Sequence, residues 1–545
     1  MENLRFILVV SLVLVGSMIW QAWEADYSPV PAPVVAASPD AAAPLPVPAS
    51  PPPSPSFDSG AINASIGTGT ERPIVVETDV LQLEINPRGA GIQRLALPGY
   101  PLSRSQPEIP LVILDAAAPE AYVIQGGLVG SAGGPSHKDL FQATADRFQL
   151  AAGQQELIVP LRWQDGELSV TKEYRFTRGS YVIHVRYRVE NRSTVAWAGR
   201  GYTQIQRAKP DTGGWRLIYT YIGAVLSSPE QRYEKVNFDE LLEQKIARDV
   251  VNGWVAMLQH YFIAAILPGD NNQPYHYYSS VLADNQFAVG AFTPMLEIPA
   301  GASADTDMRL YVGPKIQSVL AETAEGLDLT VDYGALWFIG KPLFRCLVWL
   351  HELTGNWGWS IILVTVLLKI LFYHLSAAGY RSMANMRRVQ PRLKAIQERY
   401  KEDRARLNQA MMQIYKEEKI NPFGGCLPIL IQIPVFIALY WVLLESVEMR
   451  QAPFILWIKD LSAPDPYWVL PLIMGVTMFI QQKLNPAPMD PVQEKVMQIM
   501  PFAFTIFFGF FPSGLVVYWV ANNILSIAQQ WLITRNIERG AKTPG

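Results

Sequence analysis

The sequence has few cysteines, few charged residues and no excess of basic residues. Its 545 residues include two cysteines, Cys346 and Cys426, which are too few for a disulfide framework. A formal net charge of −3 argues against direct nucleic-acid binding, since domains that bind nucleic acids are basic. Only 17% of the residues are charged, below the roughly 25% of soluble domains, while 50% are hydrophobic. This composition indicates membrane spans joined to a sizeable soluble part.

Sequence signatures of catalysis are missing as well. The HELTG stretch at residues 351–355 lacks the second histidine of a zinc-protease helix. The chain contains no G-x-S-x-G elbow, no P-loop, no G-x-G-x-x-G and no C-x-x-C, and its six histidines are scattered. We therefore expect a protein that is not an enzyme and that holds neither a cofactor nor a metal ion.

The first 56 residues divide into an apolar run and a proline-rich segment. Residues 6–23 form an uncharged run of 18 residues, long enough to span a bilayer. A signal peptide is the alternative, but its apolar core is usually shorter and residues 22–25 offer no clean cleavage site. We predict an uncleaved anchor over residues 1–25. Residues 26–56 contain eleven prolines, which predict an extended, semi-rigid linker.

A long segment, residues 57–332, has the pattern of a β domain. Hydrophobic and polar residues alternate over 81–85 and over 183–189, which is typical of half-buried strands. Asp165-Gly166 stands between two such runs and predicts a hairpin. Many short strands with Gly/Pro turns favour a large antiparallel β sandwich.

The remainder of the chain is largely apolar. Residues 333–356 carry Lys341 and Arg345 one helical turn apart among aromatic residues, as expected of an amphipathic helix in the membrane interface. Five apolar runs follow, several of them shorter than the roughly 20 residues of a comfortable span. We predict a second span over 357–377 and spans three to six within 425–534, which makes six in all. The runs are 357–375, 427–444, 467–482, 496–511 and 514–533.

The distribution of basic residues predicts the orientation of these spans. Residues 378–424 hold eleven Lys and Arg against five Asp and Glu, so this loop is expected in the cytoplasm. Two apolar stripes within it predict a helical hairpin with its turn near residues 401–404. Residues 445–466 are poor in basic residues, as expected outside, and the short basic tail 535–545 is expected inside. Both termini are then cytoplasmic, and the β domain lies on the other side.

Lys369, inside the predicted second span, is the most informative residue. An ammonium within a span is costly and usually faces a cavity or a partner, although its stem can instead reach the headgroups by snorkelling. Thr365 lies one turn away on the same face. The last span adds a polar strip with i, i+3, i+4, i+7 spacing, and two glutamines lie on other spans: Trp519, Asn522, Asn523, Ser526, Gln432 and Gln481.

This polar strip has two interpretations. Amides between spans can simply hold helices together, or they can form one wall of a hydrated groove. The five later runs contain no Asp or Glu, whereas a secondary transporter of small solutes normally needs an intramembrane carboxylate. A cation accompanied by amides instead indicates a site that attracts acidic or polar peptide. A small-solute transporter and a membrane-anchored, sugar-binding β domain are the alternatives.

Several segments resemble the YidC family of membrane protein insertases, relatives of the Oxa-type insertases, in its long Gram-negative form. The resemblance covers essentially the whole chain. The segments are GNWGWSII (355–362), NPFGGCLP (421–428), LIQIPVFIALY (430–440), SVEMRQAPF (446–454), LPLIMGVTMF (470–479), FPSGLVVYW (511–519), GWVAMLQHYF (253–262) and LYVGPK (310–315).

The resemblance implies a five-helix core around a hydrophilic groove that is open to the cytoplasm and to lipid. Lys369 stands where the family carries its basic groove residue, and Thr365 and Trp519 match groove-lining positions. The resemblance also implies an apolar slide for nascent helices, formed here by Ile433, Phe436 and Phe507. The external domain resembles a sugar-mutarotase sandwich without established catalysis.

The implied function is that of an insertase and chaperone, which inserts nascent inner-membrane proteins alone or with the Sec translocon. The partners implied are nascent membrane proteins, the Sec translocon with its accessory subunits, and the lipid bilayer. The signal recognition particle receptor and the ribosome are expected to contact the cytoplasmic hairpin. The implied location is the bacterial inner membrane, with several passes and a periplasmic β domain.

Overall fold

The structure is a computed structural model that describes residues 71–117, 121–131, 133–210, 220–269, 271–282, 285–400, 403–418, 427–485 and 491–540. The predicted anchor, the predicted linker and residues 541–545 of the predicted tail lie outside these ranges. The predicted domain boundaries stay predictions.

Two large sheets form the β domain. One sheet has the strand order β14-β17-β18-β11-β5-β4-β3-β2-β1-β7, with β19 paired to β11, and the other has the order β13-β12-β15-β16-β20-β10-β9-β8-β6. Among the described pairs only β1–β7 is parallel. The strands, numbered β1 to β20, are Ile74–Glu77, Gln82–Asn86, Gly91–Ser103, Gln106–Asp115, Tyr122–Gly130, Gln142–Ala143, Arg147–Gln149, Glu156–Asp165, Leu168–Thr177, Val182–Asn191, Trp197–Ala208, Gly223–Ser227, Glu234–Val236, Ala247–Val251, Trp254–Leu258, Phe262–Pro268, Pro274–Val281, Gln286–Phe292, Leu296–Ile298 and Ser303–Pro314.

The core of the β domain lies between the two sheets, so the predicted antiparallel sandwich is confirmed. The alternation along β10 buries Ile183, Val185 and Tyr187 against residues of the other sheet and leaves the polar residues between them less buried. The hairpin predicted at Asp165-Gly166 joins β8 to β9, where Asp165 pairs with Leu168. Gly166 has a φ of +53°, a left-handed conformation that glycine adopts without the steric cost of a Cβ.

The rest of the described chain is helical. Asn356 begins α4 by accepting a hydrogen bond from the Trp359 N–H, and Gly355, with a φ of +63°, ends α3. In the order α1 to α10 the helices are Phe238–Glu243, Gln317–Thr323, Trp337–Thr354, Trp357–Leu371, Tyr373–Arg399, Arg404–Glu417, Leu427–Glu445, Val469–Leu484, Pro491–Phe508 and Ser513–Gly540.

Within the described ranges, no single helix is at once long and apolar enough to cross a membrane. The pair α4 and α5 satisfies both conditions together, with a bend of 70° between them. The second predicted span therefore does not continue straight to residue 377, because the helix breaks at Phe372. The predicted count of six spans stays a prediction.

The predicted cytoplasmic hairpin consists of two helices. The described residues 385–400 and 403–418 fall in a different compact unit from the rest of the described chain, and in them the later part of α5 is followed by α6. Asp403 begins α6, since its carboxylate accepts hydrogen bonds from the N–H groups of Ala405 and Arg406. An ion pair of 2.8 Å joins Arg392 to Glu418, 26 residues further on, as an antiparallel hairpin requires.

A second apolar core joins the nine-stranded sheet to the helices. The outer face of that sheet contributes Trp254, Leu258 and Ile263, and the same cluster includes Leu347 of α3 and Val442 of α7. The sheet is thus covered on both faces, on one side by the other sheet and on the other by helices. Burial of this apolar surface stabilises the attachment of the β domain to the helices.

Lys172 is a charged side chain buried inside the sandwich. Lys172 of β9 is 2% exposed, and its Nζ donates a hydrogen bond of 2.8 Å to the carbonyl of Ala90. The rings of Tyr174 and Tyr187 lie 5.1 and 5.3 Å from the same Nζ. No carboxylate is paired with Lys172 in the described residues, and burial lowers the pKa of its amine to about 7.

We expect Lys172→Met to stabilise the protein. The Ala90 carbonyl keeps a hydrogen bond from the Tyr174 hydroxyl, so the substitution leaves no unpaired acceptor. The free energy of unfolding at pH 7 should rise by roughly 2–4 kcal/mol. The cost of burying the Lys172 charge, which its lowered pKa reports, is larger than the stabilisation lost with the cation–π contacts. Thermal unfolding of the purified full-length protein measures this.

The pH dependence provides the control for this prediction. The unfolded chain keeps the Lys172 proton up to about 10.5, whereas the folded protein releases it near 7, so wild-type stability rises with pH between these values. The advantage of the Met variant should be largest at and below pH 7 and should shrink toward pH 10. An advantage that is equal at pH 7 and pH 10 would contradict the explanation.

Candidate functional site

Lys369 points from α4 toward α10. Its Nζ donates a hydrogen bond of 2.7 Å to the Oγ of Ser526. Ser526 in turn donates to the Asn522 carbonyl at 2.7 Å. The ammonium is therefore directed at a neighbouring helix, which favours a polar site between helices over snorkelling along its own helix.

A second polar contact crosses from α7 to α10. The Gln432 side chain donates to the side-chain oxygen of Asn522. Asn522 thus takes part in both contacts, through its side chain with Gln432 and through its backbone carbonyl with Ser526. Three helices, α4, α7 and α10, meet at this residue.

An open cavity of about 410 Å³ lies between these helices. It brings together four residues that were predicted for the groove, namely Lys369, Thr365, Gln432 and Asn522. None of the lining residues that the structure describes is acidic. They are Thr365, Leu368, Lys369, Phe372, Leu375, Ser376, Gln432, Val435, Tyr518 and Asn522.

Sequence reasoning missed three of the more informative lining residues. Tyr518 precedes Asn522 by four residues and so lies on the predicted polar face of α10, a spacing that could have identified it. Phe372 and Ser376 lie at and beyond the bend that ends α4, so helical spacing from Lys369 does not predict their place in the lining.

Other predicted groove residues lie elsewhere. Asn523 is buried on a different side of α10, where its amide donates to the Thr477 hydroxyl of α8 at 3.3 Å. Trp519 packs edge-on against Phe436, with ring centres 4.5 Å apart, and does not line the cavity. Gln481 is half-buried and does not line it either.

The residues predicted for the apolar slide lie on α7 and α9. Ile433 and Phe507 are 46% and 42% exposed, while Phe436 is partly covered by Trp519. Phe502 and Ile506 of α9 are more exposed still. Both helices therefore present exposed apolar side chains, and α7 also lines the cavity through Gln432 and Val435.

The chemistry of the cavity is that of a cation with amide and hydroxyl neighbours. The Thr365 hydroxyl already donates to the Ile361 carbonyl at 2.7 Å, so toward the cavity it offers only acceptor capacity. In the described part of the chain, no cluster of three or more His, Cys, Asp or Glu side chains could hold a metal ion. The arrangement suits the binding of carboxylates or polar peptide groups.

Comparisons with known proteins identify two family models and a relative that match this chain. The sequence matches the model of a family described as 60Kd inner membrane protein over residues 349–540, and that of the YidC periplasmic domain over residues 73–346. A membrane protein insertase YidC from Methylococcus capsulatus is 49% identical over 544 residues, which cover 99% of each chain.

Two solved structures are more distant. An active YidC insertase with its first transmembrane domain resolved is 19% identical, with a TM-score of 0.38, and the match covers 85% of this chain and 92% of that one. A galactose mutarotase-like protein from Lactobacillus casei is 12% identical, with a TM-score of 0.31, and the match covers 44% of this chain and 99% of that one.

The neighbouring residues Asn522 and Asn523 should differ in their effect on stability. Asn523→Ala removes a buried interhelical hydrogen bond and should lower the free energy of unfolding by about 1 kcal/mol. Asn522→Ala should cost less, because Gln432 borders an open cavity where water can replace the lost partner. Thermal unfolding of the two variants in detergent tests this, and a larger loss for Asn522→Ala would contradict the assignment of their sides.

Proposed function

The chain belongs to the YidC family of membrane protein insertases, and we propose that its own insertion site is the cavity beside Lys369. The predicted resemblance to this family is confirmed by the full-length relative. Its activity is accordingly membrane protein insertion rather than enzymatic catalysis. In the proposed mechanism the polar part of a substrate enters the cavity, and the apolar part moves along the slide into lipid.

One observation supports this proposal most directly. The Lys369 ammonium has a neutral partner, Ser526, and no acidic residue lines the cavity. A cation in apolar surroundings is costly without a counter-charge. An acidic or strongly polar substrate segment relieves that cost, so the site attracts such a segment and solvates it for a short time. The absence of a lining carboxylate also separates this site from the ion-coupled transporter that was the alternative.

Short helices support the idea that the bilayer is thin at the site. α8 has 16 residues, which at about 1.5 Å per residue extend roughly 24 Å. The hydrocarbon core of a bilayer is about 30 Å thick. A locally thinned bilayer shortens the distance over which a polar segment must be moved.

The slide then provides for release. Ile433, Phe436 and Phe507 present apolar surface beside the cavity, so an apolar substrate segment can leave the polar site without entering water. Partition of that segment into lipid supplies the free energy for insertion. In this proposal the partition step itself consumes no nucleotide.

The topology that fits this mechanism has six spans in the bacterial inner membrane. The excess of Lys and Arg over 378–424 supports a cytoplasmic position for the hairpin. Both termini are then cytoplasmic and the β domain is periplasmic. Substrates enter from the cytoplasm, on the side of the hairpin.

Nascent membrane proteins are the substrates, and further partners are proposed at two places. The hairpin combines basic residues with the exposed Met412, a surface suited to varied partners. We propose that the signal recognition particle receptor and the ribosome bind this hairpin. The Sec translocon with its accessory subunits cooperates with the membrane part. The same hairpin surface also faces the headgroups of the bilayer.

The charge of Lys369 should be needed for substrates with acidic tails. We expect Lys369→Met, which keeps the side-chain length without the charge, and Lys369→Ala to reduce their insertion about tenfold or more, equivalent to about 1.4 kcal/mol. Lys369→Arg should be tolerated because the charge is kept. Protease protection of a small model substrate in a depletion strain measures insertion.

Lys483→Ala is the matched control for this series. Lys483 lies in the last turn of α8, and its ammonium lies over the Phe479 ring and does not line the cavity. Its removal should leave insertion close to wild type. Normal insertion by Lys369→Met would disprove the role of the groove charge.

A further inference from the structure

The β domain is joined to the end of α7 by a buried ion pair. Lys315 directly follows β20, and its Nζ lies 3.2 Å from the Oε2 of Glu445, the last residue of α7. The two residues are only 3% and 5% exposed. The same Nζ also donates to the Thr330 carbonyl at 3.2 Å, so both charges are compensated inside the protein.

This end of α7 would be electrostatically unfavourable by itself. A helix C-terminus carries a partial negative charge and is stabilised by basic residues. α7 has no basic residue in its last turn and has Glu445 there instead. Lys315 supplies from the β domain the positive charge that the helix lacks in its own sequence.

A histidine completes the contact. His260, in the turn between β15 and β16, contacts the Leu444 carbonyl through its Nε2 at 3.0 Å. Burial, reinforced by Lys315, lowers the pKa of His260 to about 4, so the ring is neutral at pH 7 and its Nε2 carries a hydrogen. His260 therefore donates to one of the carbonyls that a helix end leaves unpaired.

Apolar packing continues the attachment along α7. Ala438, Leu439 and Val442 lie in the same core cluster as Trp254 and Ile263 of the sheet. The C-terminal end of α7 thus contacts the β domain through Leu444 and Glu445, while Gln432 and Val435 nearer its start line the cavity. A shift at the C-terminal end of this helix moves a wall of the insertion site.

We propose that Lys315 and Glu445 are positioning residues for insertion, which fix α7 on the β domain and thereby set the place of Gln432 in the cavity wall. The proposal deepens the proposed function and rests on it. In this view the β domain is a mechanical support of the insertion site. It acts without contacting the substrate that enters the cavity.

The test uses the full-length protein with Lys315→Met, Glu445→Gln and both changes together. Spin labels replace Ile437 of α7 and Ile524 of α10, whose side chains are exposed, in a background with Cys346 and Cys426 changed to serine. Double electron–electron resonance then measures the distance between α7 and α10, and protease protection measures insertion in parallel.

Each single variant leaves one charge buried without its partner, which is the costly case. We expect a broadened or shifted distance distribution and a three- to tenfold loss of insertion for each. The double variant should recover most of both properties, because no uncompensated charge remains. An ion pair that only adds stability would also recover in the double variant, but it would leave the distance distribution of the folded single variants unchanged.

Arg104→Ala is the matched control. Arg104 also connects the β domain to the helical part, through a 3.1 Å hydrogen bond to the Gln451 carbonyl beyond the end of α7. It should leave the distance distribution and insertion unchanged.

Three results would overturn the proposal: wild-type distances in both single variants, additive losses in the double variant, or an equal effect of Arg104→Ala. A failure of the proposed function can be distinguished from a failure of this proposal, since it would appear as normal insertion by Lys369→Met. The spectroscopic distances remain informative about the ion pair in that case.

Discussion

The Lys369 ammonium imposes the main constraint on the helical part of the protein. A cation among apolar helices requires oxygen neighbours, and Ser526 on α10 provides one at 2.7 Å. Because Ser526 is also held by the Asn522 carbonyl, the cation, α10 and the amide contact to Gln432 form one polar network. The cavity borders this network, and the apolar surfaces of α7 and α9 begin next to it. The polar site that receives a substrate and the apolar surface that releases it are therefore adjacent, because both are arranged around the charge of Lys369.

The β domain contributes to the same arrangement from a distance. Its inner core is the usual interior of a sandwich, and residues on the outer face of the nine-stranded sheet belong to the same apolar cluster as residues of α3 and α7. The ion pair between Lys315 and Glu445 joins the domain to the last residue of α7. α7 consequently links the two parts of the protein, since its C-terminal end contacts the domain and its earlier part lines the cavity. In our proposal this makes the position of the cavity wall sensitive to the domain.

Local sequence patterns predicted much of the fold and part of the candidate site. The features they missed depend on contacts between segments that are distant in the sequence. Alternation over 183–189 predicted β10, and helical spacing placed Lys369, Thr365 and Asn522 at one site. Spacing alone did not separate Asn522 from Asn523, because both fit the same polar strip although adjacent residues differ by about 100° around a helix. Only the packing of Asn523 against α8 shows that Asn522 is the residue that faces the cavity. The break at Phe372 has no proline or glycine to signal it. The pair Lys315–Glu445 joins residues 130 positions apart, which no local pattern can predict.

The most direct test of the account asks which part of a substrate lies in the cavity. A photo-crosslinking amino acid replaces Leu375, which lines the cavity, or Phe507, which lies on the slide, and the protein is presented with a stalled nascent chain. The chain carries an acidic tail followed by an apolar segment. The account predicts crosslinks from position 375 to the acidic tail and from position 507 to the apolar segment. Crosslinks from both positions to the same part of the chain, or none from position 375 to the tail, would contradict it.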